Sequence, residues 1–514
     1  MKPDMKEHAL PTITHARRSI AGQLLKLAGP IVGLNMLNVL MLAVDSALCG
    51  RLPHPEQTLA AIGFSHQVIF LLMVAMLGLL VGTIALVARA HGGGDTSRLN
   101  HLVVQSTQLT IFIGIVVAIA GAILAEPILR VLGASDEVAT LGGGYLRPMM
   151  LGAPFFYLGQ LYAGILRGVG NTRIPFVLAL GANAVNALLN YCLVLGKLGF
   201  PSLGVTGSAL GTVTAQFLNV AALVFILRRG AIPSLRLPLS PRRVDPGVVR
   251  SLFRVGWPAA LDTLILSVGF LTALAMLGRI GEVTVAAHGL GMRVQAIAFV
   301  PGLGIAQATS AMIGQSLGAG NVERARQITR ASIALSVGMM SALAISIMIL
   351  SIPIVRSFDV GQGTSLESHS VACMRILGIA MVPRGATMAF AGLMQGAGAT
   401  RISLRINFWT TLALQVPLAW LLGFGLHLDA LGVWLSFPLA FAARAGLGYI
   451  AYRRQRWAVT GVRISMTDFA EAPGSLKTGV TDTRNGVVRD SAEQLGGPRV
   501  IDHDVCRERE PHAA

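Results

Sequence analysis

Residues 60–98 read AAIGFSHQVIFLLMVAMLGLLVGTIALVARAHGGGDTSR, and residues 286–324 read AAHGLGMRVQAIAFVPGLGIAQATSAMIGQSLGAGNVER. Laid on each other, Ala60-Ala61-Ile62-Gly63 falls on Ala286-Ala287-His288-Gly289, and the frame holds without a gap to Arg98 on Arg324. Gly78 meets Gly304, Thr83 meets Thr309, Ala85 meets Ala311, and His91-Gly92-Gly93-Gly94 lies on Leu317-Gly318-Ala319-Gly320. A shift of two residues extends the match in both directions. Pro30 then falls on Pro258, Gly50-Arg51 on Gly278-Arg279 and Ala163-Gly164 on Ala391-Gly392. Gly168, Gly170, Thr172, Arg173 and Ile174 fall on Gly396, Gly398, Thr400, Arg401 and Ile402. Self-similarity at a fixed offset marks a duplicated unit, and here the unit is nearly half the chain.

The repeated stretches are apolar over lengths that suit a bilayer, which needs ~20 mostly apolar residues per helix. Further runs fall at 24–48, 59–88, 103–124, 143–166, 174–196 and 202–227, then at 250–277, 284–313, 331–353, 371–395, 403–425 and 430–452. The chain has 514 residues, of which 53% are apolar and 13% charged. A soluble domain carries ~25% charged residues, so a soluble globule, a disordered chain and a coiled coil are excluded. The mean hydropathy of +0.66 agrees. The fold class expected is all-α and integral to the membrane, with twelve transmembrane helices in two six-helix pseudo-symmetric bundles. Six spans is an even number, so both halves share one topology and are related by an axis along the membrane normal.

The organisation follows: 1–23 as an N-terminal segment, 24–228 and 250–454 as the two lobes, 229–249 as a linker rich in Pro and Arg, and 455–514 as a polar, disordered tail. The net charge of +17 would suggest nucleic acid in a soluble protein. Here the basic residues sit between apolar runs. Lys2, Lys6, Arg17, Arg18 and Lys26 precede the first run, and Arg89, Arg98, Arg167, Arg173, Arg324, Arg326, Arg330 and Arg401 follow even-numbered ones. Arg453, Arg454 and Arg456 close the last, whereas the opposite loops carry little beyond Arg51, Arg130, Lys197, Arg279 and Arg356. The positive-inside rule puts both termini in the cytoplasm. Residues 1–21 are polar and do not resemble a cleavable signal peptide. Cys49, Cys192, Cys373 and Cys506 are scattered and suggest neither a disulfide framework nor zinc.

The residues resemble the multidrug and toxic compound extrusion (MATE) family of cation-coupled antiporters over about 24–454. The carriers are Pro30, then Val44-Asp45-Ser46-Ala47-Leu48-Cys49-Gly50-Arg51-Leu52, Leu59-Ala60-Ala61-Ile62-Gly63 and Ala90-His91-Gly92-Gly93-Gly94-Asp95. Leu166-Arg167-Gly168-Val169-Gly170-Asn171-Thr172-Arg173, Gly199-Phe200-Pro201 and Gly204-Val205-Thr206-Gly207-Ser208-Ala209 follow in order. The resemblance implies a two-lobed antiporter of the inner or plasma membrane. Such a protein exports amphipathic, often cationic, compounds against inward H⁺ or Na⁺, works as a monomer in the lipid bilayer and needs no cofactor. Many relatives have a second carboxylate in the fifth span where this chain has Asn190, and some have Glu in the seventh and Asp in the tenth. Here the seventh has Asp262 at a different height and the tenth has Arg384, so H⁺ and Na⁺ both stay open.

An ionisable residue inside an apolar span is costly and usually functional. Asp45 is the sharpest candidate, able to take up and release a proton as water access changes. Asn183, Asn186 and Asn190 recur on one face of the fifth span and offer amide oxygens to Na⁺ beside it. In the repeat frame Asp45 falls on Ala273, while Asn183 and Asn186 fall on Thr411 and Leu414. Cation coupling is therefore expected in the first half alone. Asp262, Gln67, Tyr157, Gln160, Arg293 and Gln295 are the expected lining of a substrate cavity, with Asp262 attracting a cation or pairing with Arg293 or Arg384. Taken alone, each of the glutamines is more often hydrogen-bonding glue between helices. The glycines at 92–94 follow no strand and precede no Lys-Ser/Thr, so they are no phosphate cradle, and no Walker motif supports ATP-driven transport. No cluster of His, Asp or Cys supports an enzyme. A lipid-linked oligosaccharide flippase of similar shape is the alternative, since it needs cavity-lining cations such as Arg293 and Arg384.

Overall fold

The computed structural model describes residues 13–52, 55–235, 243–358 and 360–458. The expected disordered tail from 459, the first twelve residues and the middle of the linker, 236–242, lie outside the described residues. Every regular element among the described residues is a helix. Ten are long and apolar enough to cross a membrane, and two bent pairs bring the spans to twelve. In hydrocarbon every backbone N–H and C=O needs a partner, and a helix supplies them all within its own segment.

The first three spans are Ile13–Cys49, Pro55–Gly92 and Thr96–Val131. The fourth is broken into Asp136–Leu151 and Ala153–Gly168, with a bend of 51°. Pro154 follows the break and has no N–H to continue the ladder. The fifth and sixth are Arg173–Leu195 and Gly204–Arg228. The seventh, Pro246–Ile280, starts at Asp245, whose carboxylate accepts from the Gly247 and Val248 amides at 2.9 and 3.4 Å. His101 of the third span meets the same carboxylate at 2.9 Å. That hydrogen bond, first among the causes, holds the Asp245 carboxyl below its ordinary range. The linker's end is thereby fastened to the first half, with Gln105 Nε2 donating to the Arg243 carbonyl at 2.8 Å.

The eighth span joins Glu282–Ala298 to Val300–Gly318 at 43°, again before a proline, Pro301. The ninth is Val322–Ile349 with a short continuation, Ser351–Arg356, and the tenth is Ser365–Gly396. The eleventh, Thr400–Gly425, passes through two π-helical stretches on either side of Val416–Trp420. Pro417 falls between them and lacks the N–H that a regular ladder requires. The twelfth is Asp429–Arg453.

The duplication is visible bond by bond. Thr83 Oγ1 reaches Ser106 Oγ at 3.1 Å, and its repeat partner Thr309 reaches Ser332 at 2.7 Å. Asp95 and Asn321 each cap a helix by accepting the backbone N–H three residues on, at 2.8 Å. The preceding residues, Gly94 and Gly320, have φ of +73° and +72°. A side chain there would be strained, which explains why the loop keeps glycine in both copies.

The halves meet along a seam made of small residues. A Cβ added at Gly78 would come to 2.8 Å of the Gly256 carbonyl, and one at Gly82 to 2.6 Å of the Leu252 carbonyl. Gly92 packs on the backbone of Gln315, and its repeat partner Gly318 packs on the backbone of Arg89. Gln315 Nε2 donates to the Gly168 carbonyl at 2.8 Å, while Arg89 donates to the Ala397 carbonyl. Arg89 and Gln315 are themselves repeat partners. Each therefore caps the C-terminal end of a helix in the opposite half, where carbonyls lack intrahelical donors.

Candidate functional site: two cavities, one in each half

The first cavity, about 340 Å³, opens among the first, second, fourth, fifth and sixth spans. Asp45, Asn183, Asn186, His66, Tyr145 and Gln160 are on its wall. Asp45 is 9% exposed. Asn190 stands behind it, fully buried, and its Nδ2 donates to Asp45 Oδ1. The amide fits because residue 211 is glycine: a Cβ there would overlap Asn190 Oδ1. That oxygen has no hydrogen-bond partner. The three asparagines share a face but not a role. Asn186 accepts from Thr212 Oγ1 at 3.4 Å, and Asn183 donates to the Ala179 carbonyl of its own helix at 2.8 Å. His66 Nε2 and Tyr145 Oη sit 3.2 Å apart on the facing wall.

The second cavity, about 350 Å³, lies in the second half, with one wall from Leu77, Leu80, Val81, Ile84 and Arg167 of the first. Asp262 is buried in it, accepting from Ser403 Oγ at 3.0 Å and Asn407 Nδ2 at 2.5 Å. A carboxylate–amide pair between a lobe's first and fifth spans thus exists in both halves. In the repeat frame, however, Asp262 aligns with Leu34, eleven residues before Asp45, which is ~16 Å along a helix. The second half carries acid–amide chemistry of its own at another level, which repeat alignment alone does not reveal. The expected ion pairs of Asp262 need correction. Arg293 is exposed and lines neither cavity, and Arg384 shares the cavity with Asp262 without bonding it. A hydroxyl and an amide reach the carboxylate instead.

The other expected lining residues are dispersed. Gln160 lines the first cavity. Gln67 is exposed, and Gln295 is buried within the eighth span, both away from the two cavities. Tyr157 is buried against the core, its hydroxyl donating to the Leu72 carbonyl at 3.3 Å. The sequence reading missed Ser403, Asn407 and Arg444, and it placed Arg167 in a loop. Arg167 instead ends the fourth span, buried, and donates to Gln307 across the seam. Arg444 donates to Thr410 and Thr411 of the eleventh span at 3.0 and 2.6 Å. Its charge within the apolar run 430–452 was the available signal.

Residues 30–192 and 258–421 match the MatE family model, so the duplicated halves match separately. A probable multidrug resistance protein NorM of Thermotoga maritima is 26% identical over 439 residues, covering 85% of this chain and 93% of the relative. A probable multidrug resistance protein YoeA of Bacillus subtilis is 28% identical, covering 77% and 85%. The fold matches a solved MATE structure in the bent conformation with a TM-score of 0.78 at 23% identity, covering 89% of this chain and all of that one. An outward-facing MATE transporter of the MOP superfamily gives 0.78 at 23% identity, with 88% and 99% covered.

Proposed function

This chain belongs to the MatE family of membrane transporters, and from that premise we propose that it is a secondary active multidrug efflux antiporter. It exports amphipathic and cationic organic compounds in exchange for H⁺ or Na⁺ by alternating access. As a multi-pass membrane transporter it is not an enzyme. The substrate class draws on the names of its relatives. The observation that carries the coupling is Asp45, a buried carboxylate at the edge of a cavity with one amide aimed at it.

Such a carboxylate has two low-energy conditions in an apolar span. Ionised, it accepts the Asn190 N–H. Neutralised by a proton or Na⁺, it favours the amide turned so that the unpartnered Oδ1 meets the proton or the ion. Asn183 and Asn186 supply further oxygens on the same face, which a hard cation requires. Occupancy thereby changes the contact between the first and fifth spans. The lobes 24–228 and 250–454 then rock about their seam, the basic end being cytoplasmic with both termini. The protein works as a monomer, and the tail 455–514 is dispensable.

The test is export of a fluorescent organic cation from proteoliposomes under an imposed pH or Na⁺ gradient. Uphill export under one of the gradients, abolished by its ionophore, is expected. No export under either gradient refutes the antiporter. A flippase for lipid-linked oligosaccharide draws support from the arginines of the second cavity. The first cavity holds no Arg or Lys, and its Asp45 would repel a pyrophosphate.

A further inference from the structure

The charge in the second cavity does not balance. Arg167, Arg384 and Arg444 line it, against Asp262 as the one acidic side chain. Arg167 and Arg444 are 7% and 5% exposed. Asp262 is bonded by Ser403 and Asn407 and forms no ion pair with any of the three. Arg167 Nε, Arg384 Nε and Arg444 Nη1 are buried donors with no partner. Arg384 makes no side-chain hydrogen bond at all. It lies between two rings, 4.9 Å from the centroid of Phe441 and 5.4 Å from that of Phe299. A buried charge is normally paired, and an orphaned donor forfeits the water it lost. Guanidinium forks match planar oxyanions, which accept two N–H groups at once.

We propose that this cavity binds the carboxylate of an amphipathic organic substrate, with Arg384 and Arg444 as its principal donors. Arg167 approaches from the other half. The apolar body of the substrate rests on Leu77, Leu80 and Met388. The volume suits one small organic molecule. Because Arg167 stands across the seam, rocking the halves removes one donor and weakens the site. The transported compounds therefore include zwitterions and organic anions, beyond the cations of the efflux reading. The inference rests on that reading only for transport.

Binding is measured without a gradient on the full chain in lipid nanodiscs, so failed ion coupling and a failed anion site are separate results. The probes are a rhodamine with a free carboxylate and its methyl ester, which share the same cation. Fluorescence anisotropy is expected to show the acid binding at least about tenfold more tightly than the ester. Arg384→Gln removes a side chain that donates no hydrogen bond to another residue, and is expected to erase most of that preference. Arg384→Lys keeps the charge without the fork and is expected to restore part of it. Equal binding of acid and ester by the unmodified protein overturns the proposal, as does an undiminished preference in Arg384→Gln. Ester binding by each variant reports that it is folded. Displacement of the acid by dodecanoate supports the carboxylate. Displacement by dodecyl phosphate alone overturns it in favour of a phosphate-bearing lipid.

Discussion

Asp45 and Asp262 each meet an asparagine 145 residues ahead, yet at different depths in their lobes. Asp45 was legible because a lone carboxylate stands out in an apolar run. Its partner Asn190 was singled out by the resemblance, which sets it where many relatives carry a second carboxylate, whereas helical spacing alone did not rank it above Asn183. Ser403 and Asn407 were not legible, since such side chains are ordinary glue between membrane helices. The charge difference between the cavities leads to a direct test. Asp45→Asn keeps shape and some hydrogen bonding but cannot ionise. It should insert normally, retain substrate binding and lose gradient-driven export by an order of magnitude or more, read at matched expression. Full export by Asp45→Asn would sink the coupling role. Asp262→Asn should leave ion-driven export of some substrates and shift preference among them, as read by competition between a cation and a zwitterion. Gly211→Ala tests the amide without touching a charge. Its Cβ overlaps Asn190 Oδ1. Overpacking of ~1–3 kcal/mol should displace the amide and slow coupled export several-fold. Unchanged export in that variant would make Asn190 a bystander.

At the scale of elements, the twelve apolar runs all became spans, because length and hydropathy are read directly by the bilayer. The breaks were harder to read. Pro154 and Pro301 follow bends, whereas Pro30, Pro258 and Pro383 sit inside single long helices. Proline alone does not decide, since neighbouring helices can satisfy the carbonyl it frees. The π-helical eleventh span was invisible, its sequence being apolar and helix-like. The structure ties it to Arg444 through Thr410 and Thr411. π turns recur at functional sites, and this one positions a cavity arginine. Thr411→Val keeps the volume and removes an acceptor 2.6 Å from that guanidinium. The loss should cost ~1–3 kcal/mol, visible as a lower melting temperature in detergent, because a buried donor is left unmet. An unaltered melting temperature would mean that the cavity, not the eleventh span, holds the arginine.

The whole molecule shows best what a repeat can and cannot reveal. Aligning 60–98 with 286–324 located the glycines but not their use. In space Gly78, Gly82, Gly92 and Gly318 line the seam, and the last two obey the same two-fold relation as the sequence. Gly92 rests on Gln315, and Gly318 rests on Arg89. These contacts hold the halves together at the end carrying the basic loops, so any opening there must break them in pairs. Replacing either glycine by valine places a side chain where the opposing backbone lies. Seam closure then costs ~1–3 kcal/mol, and the closed-to-open ratio falls by roughly five- to 150-fold. Spin labels at Ser97 and Glu323, exposed repeat partners just beyond the seam, report the separation. Both Gly92→Val and Gly318→Val should lengthen that distance, and by similar amounts, because each disturbs one of two equivalent contacts. Gly63→Val, with open space around its Cβ, should leave it unchanged. If only one seam variant moves the labels, the halves do not open about a shared axis. If neither does, these contacts are not the gate.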